Sequence, residues 1–442
     1  MKTNVNRCWV LPVIFLSISP IIRGATFDPA ISLGVGPGPS WVVAADVNQD
    51  GKPDLISANS GDGTLSVLTN SGSGGFGSND TLTVGSVPLG LVAADVNGDG
   101  KADAVSANYG NNTLTVLTNN GSGRLNFCAT LDVGSNPISV EAADLYANGQ
   151  MALISANRSD GTLTVLTNNG NGGFDLAATL TVGSLPFSVV AADVNGDGKL
   201  DLINANLGDG TLTVLTNDGS GGFNLAASPA VGSNPCSVTA ADVNADGRMN
   251  LVCANFSGDT LSVLTNDFNG NFVVSATLAT GSGPLCVAAA HINGDYYPDL
   301  ISANAYDNNI MVLTNDGNGG FILAATVVVG SYPQAVTAAD LNGDKKNDVI
   351  TANNNGNALS VLVNRFGTVV VEAPLLTILL ANPTTVTVAW PSSADGFVLQ
   401  GNANLGTTNW SGYTGNIYND GTTKSATITP LTGAQFFRLY HP

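Results

Sequence analysis

The chain has 442 residues, of which 11% are charged, and its formal net charge is −19 at pH 7. Such a negative chain is poorly suited to bind nucleic acid, because basic side chains must replace the counterions that condense on phosphates. Short Val, Leu, Ala and Thr runs alternate with Gly, Asn and Asp clusters, a pattern that predicts short strands and tight turns rather than long helices.

The N-terminal segment, residues 1–24, is predicted to be a signal peptide. Lys2 and Arg7 form a positive end, and the apolar stretch over residues 9–22 has the length of a signal-peptide core. This stretch is short for a membrane span, and no other segment is long enough to cross a membrane. We therefore expect a secreted or cell-surface protein. The alternative interpretation of this segment is a buried N-terminal strand.

A repeat of 49 residues follows, without insertion or deletion between successive copies. Its anchor is the first Asp of the recurrent segment Ala-Asp-Val-Asn-Gly-Asp-Gly. The seven anchor positions are Asp46, Asp95, Asp144, Asp193, Asp242, His291 and Asp340. A Gly lies ten residues before each anchor and a Pro seven residues before it, as Gly36 and Pro39 do in the first repeat.

Each repeat is predicted to contain four strands, A to D. In the first repeat these are residues 41–45, 55–59, 64–69 and 76–84. Seven such units predict an all-β fold, a seven-bladed β-propeller in which each repeat forms one sheet. A parallel β-helix is the alternative, but its coils are shorter and need no hairpin inside every repeat. Residues 27–36 resemble a strand D without a preceding blade, and we expect them to complete the last blade and close the ring.

The loop between strands A and B carries the strongest chemical signal. In the first repeat, oxygen atoms are offered at alternate positions by the side chains of Asp46, Asn48, Asp50 and Asp54 and by the carbonyl of Lys52, whose side chain we expect to point outward. Calcium binds about six to eight hard oxygen ligands, and alternate residues of a tight loop can turn their oxygens inward. This loop therefore predicts a calcium site.

Equivalent sets recur in four further repeats. They are Asp95, Asn97, Asp99, Lys101 and Asp103; Asp193, Asn195, Asp197, Lys199 and Asp201; Asp242, Asn244, Asp246, Arg248 and Asn250; and Asp340, Asn342, Asp344, Lys346 and Asp348. The fifth repeat, with Asn250, has one charge fewer and is expected to bind more weakly.

Two repeats depart from this pattern. The third has Tyr146 and Ala152 at ligand positions and is expected to have lost its metal, and the sixth begins with His291, although calcium prefers oxygen to imidazole. About five structural calcium ions are therefore predicted. The alternative is a set of turns in which Asp and Asn side chains cap backbone amides.

These segments resemble the FG-GAP/VCBS repeat family, which also forms the integrin α-subunit propeller and some fungal lectins. The resemblance covers about residues 27–370. It implies calcium in the A–B loops on one face of the ring. It also implies that ligands meet the opposite face, which is formed by the B–C and D–A loops.

The predicted domains are the signal peptide, residues 1–24; the propeller, residues 25–370; and residues 371–442, a linker followed by a β-sandwich-like module. In this last part, residues 385–390 and 425–429 alternate as strands. Its aromatic residues are expected to form the core, and an aromatic platform for a sugar is the alternative; they are Trp390, Phe397, Trp410, Phe436, Phe437 and Tyr440. Four cysteines, Cys128, Cys236, Cys253 and Cys286, remain after the signal peptide and are expected to be small buried residues. Their spacing does not define a disulfide pairing.

The predicted function is a non-enzymatic binding or adhesion module for a glycan or an extracellular protein, with a monomeric chain. No catalytic residue is assigned, because only two His are present and no nucleophile motif is visible. The alternatives are a polysaccharide-active enzyme built on a calcium propeller and a purely structural surface protein. The identity of the ligand stays open at this point.

Overall fold

A computed structural model describes residues 26–72, 75–169, 173–267, 271–366, 377–382, 385–391, 398–402, 411–420, 422–429 and 436–440. The predicted signal peptide, Phe397 and Trp410 lie outside the described residues. The chain divides into two compact units, one spanning Ala25–Gly367 and the other containing Thr368–Pro442.

The described part of the first unit consists of seven four-stranded antiparallel sheets. The first four are β2 (Pro39–Ala45), β3 (Asp54–Asn59), β4 (Thr64–Asn70) and β5 (Phe76–Thr83); β6 (Pro88–Ala94), β7 (Asp103–Asn108), β8 (Thr113–Asn119) and β9 (Leu125–Asp132); β10 (Pro137–Ala143), β11 (Ala152–Asn157), β12 (Thr162–Asn168) and β13 (Phe174–Thr181); and β14 (Pro186–Ala192), β15 (Asp201–Asn206), β16 (Thr211–Asn217) and β17 (Phe223–Ala227). Strands A to D of a repeat are therefore consecutive neighbours in one sheet.

The remaining three sheets follow the same order. They are β18 (Pro235–Ala241), β19 (Asn250–Asn255), β20 (Thr260–Asn266) and β21 (Phe272–Ala279); β22 (Pro284–Ala290), β23 (Asp299–Asn304), β24 (Asn309–Asn315) and β25 (Phe321–Val328); and β26 (Pro333–Ala339), β27 (Asp348–Asn353) and β28 (Ala358–Leu362) with β1 (Ile31–Gly34). A single turn of 3₁₀-helix, Asn354–Gly356, joins β27 to β28.

Strand A of each sheet contacts strand A of both neighbouring sheets, and β26 contacts β2, so the ring is closed. This is the architecture of a β-propeller, and the predicted all-β fold class is confirmed. Strands B are buried on both faces because each sheet lies between two others. Leu55 packs in a cluster with Ile350 of the last repeat, whereas Ile56 packs with Leu91 of the second.

The first described strand closes the last sheet, as the sequence predicts. β1 pairs antiparallel with β28, with Ile31 opposite Val361 and Leu33 opposite Leu359. Phe27 extends this pairing to Asn364 and packs edge-on against Phe366, with ring centroids 5.7 Å apart. The N-terminal segment thus supplies the outer strand that the seventh repeat lacks.

The glycine ten residues before each anchor is required by a close approach. A Cβ atom on Gly36 would lie 2.6 Å from Nδ2 of Asn59, a buried side chain at the end of strand B. The other repeats show the same approach between a Gly and an Asn, at Gly85, Gly134, Gly183, Gly232, Gly281 and Gly330. Each of these Asn side chains accepts or donates hydrogen bonds inside its own sheet, such as that from Asn59 Nδ2 to Ser66 Oγ, 2.9 Å.

The described part of the second unit forms two antiparallel sheets. One contains β29 (Thr377–Asn382), β30 (Thr385–Pro391), β34 (Thr423–Ile428) and β33 (Ile417–Asn419), and the other contains β32 (Ser411–Gly412), β31 (Val398–Asn402) and β35 (Phe436–Tyr440). Val388, Trp390 and Leu399 belong to one small apolar core that draws on both sheets. The strands predicted at residues 385–390 and 425–429 are found, and the sandwich-like module stays a prediction.

Three cysteines, Cys236, Cys253 and Cys286, are buried as free thiols, whereas Cys128 is exposed on strand β9, so the expectation that all four are buried is wrong for Cys128. It lies on an outer strand, where only one side of the sheet is covered. No helix in the described residues has the length and apolar character needed to cross a membrane.

Candidate functional site

The antiparallel order of the strands divides the loops between two faces of the ring. The A–B loops and the C–D connections lie at one end of the strands, which we call the A–B face. The B–C loops and the D–A connections lie at the other end, which we call the B–C face. All 25 predicted metal-site residues belong to A–B loops or to the first residue of strand B.

In the first A–B loop, each of the acidic and amide side chains nearest the tip caps backbone amides. Asp46 accepts hydrogen bonds from the amides of Asp50 (3.1 Å) and Gly51 (2.8 Å). Asn48 Oδ1 accepts from the amide of Asp50 at 2.9 Å, and Asp50 Oδ1 accepts from the amide of Lys52 at 3.0 Å. The loops that begin at Asp95, Asp193 and Asp340 repeat this arrangement.

The basic residue at the seventh loop position folds back over its own loop, contrary to the outward direction expected from the sequence. Lys52 Nζ donates to the carbonyl oxygen of Ser71 in the C–D connection at 3.0 Å and lies 3.8 Å from Asp50. In the second repeat, Lys101 Nζ lies 3.0 Å from Asp99, and this hydrogen bond lowers the pKa of the Asp99 carboxyl. These cations therefore offset part of the carboxylate repulsion within the loop.

The last predicted ligand of each loop lies inside the fold. Asp54 is buried and accepts hydrogen bonds from the amides of Val47 (3.1 Å) and Asn70 (2.7 Å). Burial raises the pKa of this carboxyl, while the two amides oppose that rise. Asp103, Asp201, Asp299 and Asp348 are buried in the same way. This carboxylate ties the A–B loop to the end of strand C.

The Asn at the end of strand C links each repeat to the preceding one. Asn119 Nδ2 donates to the carbonyl oxygen of Val47 in the A–B loop of the first repeat at 2.8 Å. The same bond is made by Asn70, Asn168, Asn217, Asn266, Asn315 and Asn364. The A–B loops are therefore part of a ring of hydrogen bonds around the propeller.

The donor chemistry of the five complete loops fits calcium. Asp46, Asn48 and Asp50 are hard oxygen donors on an exposed loop, and a carboxylate oxygen that accepts one amide retains a second lone pair. Within the described residues, no three His, Cys, Asp or Glu side chains are already gathered as a metal-ligand group. Metal binding would therefore have to draw these oxygens together.

The third and sixth loops differ in structure as they do in sequence. In the third, Ala152 replaces the buried acid, the amide of Leu145 instead donates to Ala143, and a cavity of about 280 Å³ opens beside Tyr146. In the sixth, Asp299 accepts hydrogen bonds from the amides of both Ile292 and Asn293. In the fifth, the side chain of Asn250 donates to Asn244 at 2.9 Å.

The B–C face carries a position at which all seven repeats differ. The residue that follows strand B is held by a hydrogen bond from its amide to the carbonyl oxygen of a D–A residue, as Ser60 is by Gly38 at 2.8 Å. The seven residues at this position are Ser60, Tyr109, Arg158, Leu207, Phe256, Ala305 and Asn354. Constant backbone thus presents variable side chains.

Aromatic and aliphatic side chains gather on this face over the fourth to seventh repeats. Phe256 and Tyr306 have ring centroids 5.4 Å apart, and Tyr306 and Tyr332 have centroids 6.0 Å apart. Phe187 and Leu207 pack against the same buried cluster as Phe256. We call these five residues the apolar arc. Tyr306 is 59% exposed, so the arc is open to a ligand.

A second cavity adjoins the arc in the third repeat. It has a volume of about 300 Å³ and lies between the B–C loop, which contains Arg158 and Asp160, and the following D–A connection, which contains Ser184. The Arg158 guanidinium carbon lies 5.8 Å from the centroid of the Phe187 ring.

Six overlapping segments of the chain match the FG-GAP-like repeat family, at residues 46–106, 95–155, 144–204, 195–253, 242–302 and 291–351. Together these segments cover more than half of the chain. The chain belongs to the FG-GAP-like repeat family. No curated protein matches the chain in sequence.

Solved structures with a fold similar to these FG-GAP-like repeats include BBS1N in complex with ARL6DN, with a TM-score of 0.57 and 14% identity over 78% of this chain and 98% of that one. A protein from Lactobacillus plantarum has a TM-score of 0.52 and 13% identity over 93% of this chain and 100% of its own. A Bacteroides uniformis protein whose name only suggests 6-phosphogluconolactonase activity has a TM-score of 0.51 and 14% identity over 91% of this chain and 100% of its own. At these identities the likeness concerns the fold alone.

The metal-site positions of the FG-GAP-like repeats are predicted from the sequence, but the apolar arc and Arg158 are not. The family resemblance points to the B–C and D–A loops as the ligand face, but to none of these residues in particular. The signal was nevertheless present, since the Ala-Asn pair that ends each strand B is followed by a different residue in every repeat.

Proposed function

We propose that this chain is a secreted, non-enzymatic binding module that presents its B–C face to a glycan or an extracellular protein. The observation that carries the proposal is the variation of one side chain per repeat on an otherwise constant backbone. Repeats that served only to close the ring would have no reason to place Tyr109, Leu207 and Phe256 at a position where Ser60 suffices.

The chemistry of the apolar arc suits recognition. Aromatic side chains offer large contact areas at a low cost in conformational entropy, and they are enriched at binding sites. The backbone hydrogen bond at each variable residue holds its main chain in place before a ligand arrives, which reduces the backbone entropy lost on binding.

A binding screen with a matched pair of variants tests this proposal. The full mature chain is applied to glycan and extracellular-protein arrays, and each ligand found is titrated against Tyr306→Ala and Tyr296→Ala. Tyr296 is 95% exposed but lies in the sixth A–B loop, on the opposite face. We expect Tyr306→Ala to weaken binding by about tenfold or more, as the loss of a contact-site aromatic does, and Tyr296→Ala to leave it unchanged. Equal effects of the two variants, or none, would place the ligand elsewhere.

We further propose that the five complete A–B loops bind calcium, held by the Asp, Asn and Asp side chains near each loop tip, the carbonyl at the seventh position and the final Asp or Asn. The cation would neutralise carboxylates that lie close together. At ten times its dissociation constant, each ion would add about 1.4 kcal/mol to the free energy of unfolding.

Thermal unfolding with calcium and with a chelator, and a count of bound metal, test the calcium sites. We expect about five ions per chain and a lower Tm in chelator. Asp193→Asn should reduce the count by one, whereas Asp144→Asn, in the third loop, should leave it unchanged. A count of zero and identical Tm values would leave the Asp and Asn side chains as caps of backbone amides.

Export and a monomeric state are parts of the same proposal. Export rests on Lys2, Arg7 and the apolar stretch of residues 9–22. Fusion of residues 1–24 to a reporter enzyme, with Lys2→Glu/Arg7→Glu as the comparison, tests export, and light scattering of the mature chain tests the monomeric state.

A further inference from the structure

We infer that the cavity beside Arg158 binds the carboxylate of an acidic monosaccharide, a uronic acid residue of a glycan. This inference rests on the proposed role of the B–C face in binding and names the chemical class of its ligand. The cavity is lined by residues of the B–C loop of the third repeat and by residues 181–185 of the connection to the fourth.

The main evidence for an acidic ligand is the guanidinium group of Arg158. Its Nε is buried and has no hydrogen-bond partner, and within the described residues no carboxylate lies within ion-pair distance of it. A guanidinium has five N–H donors, and an unsatisfied buried donor costs free energy. The group is held in place by Phe187, whose ring lies 5.8 Å away. Arg158 also lines the cavity, and a planar, oriented guanidinium group is suited to bind a carboxylate in a bidentate manner.

The distribution of charge over the propeller makes Arg158 distinctive. In the described part of the propeller, every other Lys and Arg lies on the A–B face, in an A–B loop or at the C–D end of the strands. The B–C loops instead carry acids, namely Asp62, Asp160, Asp209, Asp259 and Asp307. In the described part of the propeller, Arg158 is therefore the one cation of this face that can attract an anion, and the remaining atoms of that ligand must suit polar and acidic surroundings.

A sugar meets that requirement. Asp160 lines the same cavity, and its Oδ2 accepts the amide of Ser135 at 2.5 Å, which leaves Oδ1 to accept hydrogen bonds from ligand hydroxyls. Ser159, Thr181 and Ser184 add hydroxyl groups around the rim. A ligand with one carboxylate and several hydroxyls would use Arg158 and Asp160 together, whereas a simple carboxylate would use only the first.

Calorimetric titration of the full mature chain distinguishes these ligands. The probes are galacturonic and glucuronic acids, the neutral sugars galactose and glucose, and acetate. We expect the uronic acids to bind, the neutral sugars to bind at least tenfold more weakly, and acetate to bind more weakly than either uronic acid. Because a hydrogen-bonded charge contributes about 1.5–3 kcal/mol, Arg158→Gln should weaken uronic acid binding by about ten- to hundredfold.

Arg124→Gln is the matched control, because it removes the same charge from an exposed residue of the C–D connection on the A–B face. We expect it to leave uronic acid binding unchanged. The inference is overturned if neither uronic acid binds, if neutral sugars bind equally well, or if Arg158→Gln and Arg124→Gln behave alike. A ligand from the arrays that depends on Tyr306 but not on Arg158 would overturn this inference while supporting the proposed function.

Discussion

Asn70 Nδ2 lies 2.7 Å from the carbonyl oxygen of Leu341, 271 residues away in the sequence, and joins the first repeat to the last. The same side chain donates to Pro53, and its Oδ1 accepts the amide of Gly72. Closure of the ring therefore uses the same hydrogen bond as every internal interface between repeats, such as that from Asn119 to Val47.

Asn70→Ala should destabilise the protein by about 1–3 kcal/mol, because it leaves the buried carbonyl of Leu341 without its donor. Asn119→Ala should have an equal effect, since its interface has the same geometry. The measurement is the free energy of unfolding in urea, with Asn224→Ala, an exposed residue of β17, as the neutral control. A much smaller effect of Asn70→Ala than of Asn119→Ala would show that closure of the ring contributes little to the free energy of unfolding.

Gly36→Ala should lower the free energy of unfolding by about 1–3 kcal/mol. The new Cβ atom would lie 2.6 Å from Nδ2 of the buried Asn59, so the sheet would have to shift. Gly34→Ala, two residues earlier, is the control, since a Cβ there meets no atom within 4 Å. We expect the control to change stability by less than about 0.5 kcal/mol. If the two variants unfold at the same urea concentration, packing against Asn59 does not explain the glycine.

Phe27→Ala should lower the free energy of unfolding by about 3–5 kcal/mol, as the loss of a buried aromatic side chain does in other proteins. Phe27 is 6% exposed and packs against Phe366 where the N-terminal segment closes the seventh sheet. Phe127→Ala is the matched control, because Phe127 is 65% exposed on the outer strand β9. Chemical denaturation measures the free energy of unfolding of both variants. An equally small loss of stability in the two would contradict a stabilising role for the N-terminal strand.

Glu141→Gln should stabilise the protein at pH 8 but not at pH 4. Glu141 lies in β10, on the inner side of the ring, where burial raises the pKa of its carboxyl to about 7. The folded state therefore holds the proton more tightly than the unfolded chain, so this residue's contribution is full below the unfolded pKa of 4.5 and is lost as the pH rises through about 7.

Because Glu141 is only partly buried, the expected gain at pH 8 is about 1–3 kcal/mol, below what the shift alone would give. The free energy of unfolding of both proteins, measured from pH 4 to pH 8, should diverge progressively with increasing pH. Parallel curves over this range would contradict the raised pKa. Val190→Thr, at the equivalent position of the next repeat, controls for a polar side chain in β14.

Much of the fold was predictable from the sequence, because a repeat of constant length constrains every copy at once. The strand boundaries expected for the first repeat agree with the structure to within two residues. Residues 27–36 resemble a strand D that no blade precedes, which predicts that they complete the last sheet, and they do pair with it. The role of Asp54 was less predictable. Its spacing indicates a ligand, but its burial and its bonds to the amides of Val47 and Asn70 depend on strand C, which lies elsewhere in the sequence.

The strand order, the turn positions and the oxygen-rich loops can be derived from the amino-acid sequence, because each follows from a local pattern that recurs every 49 residues. Contacts between side chains of different repeats depend instead on how the repeats pack in the folded ring. This packing brought Phe256, Tyr306 and Tyr332 together on one face and, within the part of the chain that the structure describes, left Arg158 beside Phe187 without an acidic partner. Equivalent loops of neighbouring repeats lie side by side in the ring, so Phe256 and Tyr306, 50 positions apart, become neighbours. Each B–C loop also lies beside the D–A connection that leads into the next repeat, which brings Arg158 to Phe187 and Tyr306 to Tyr332.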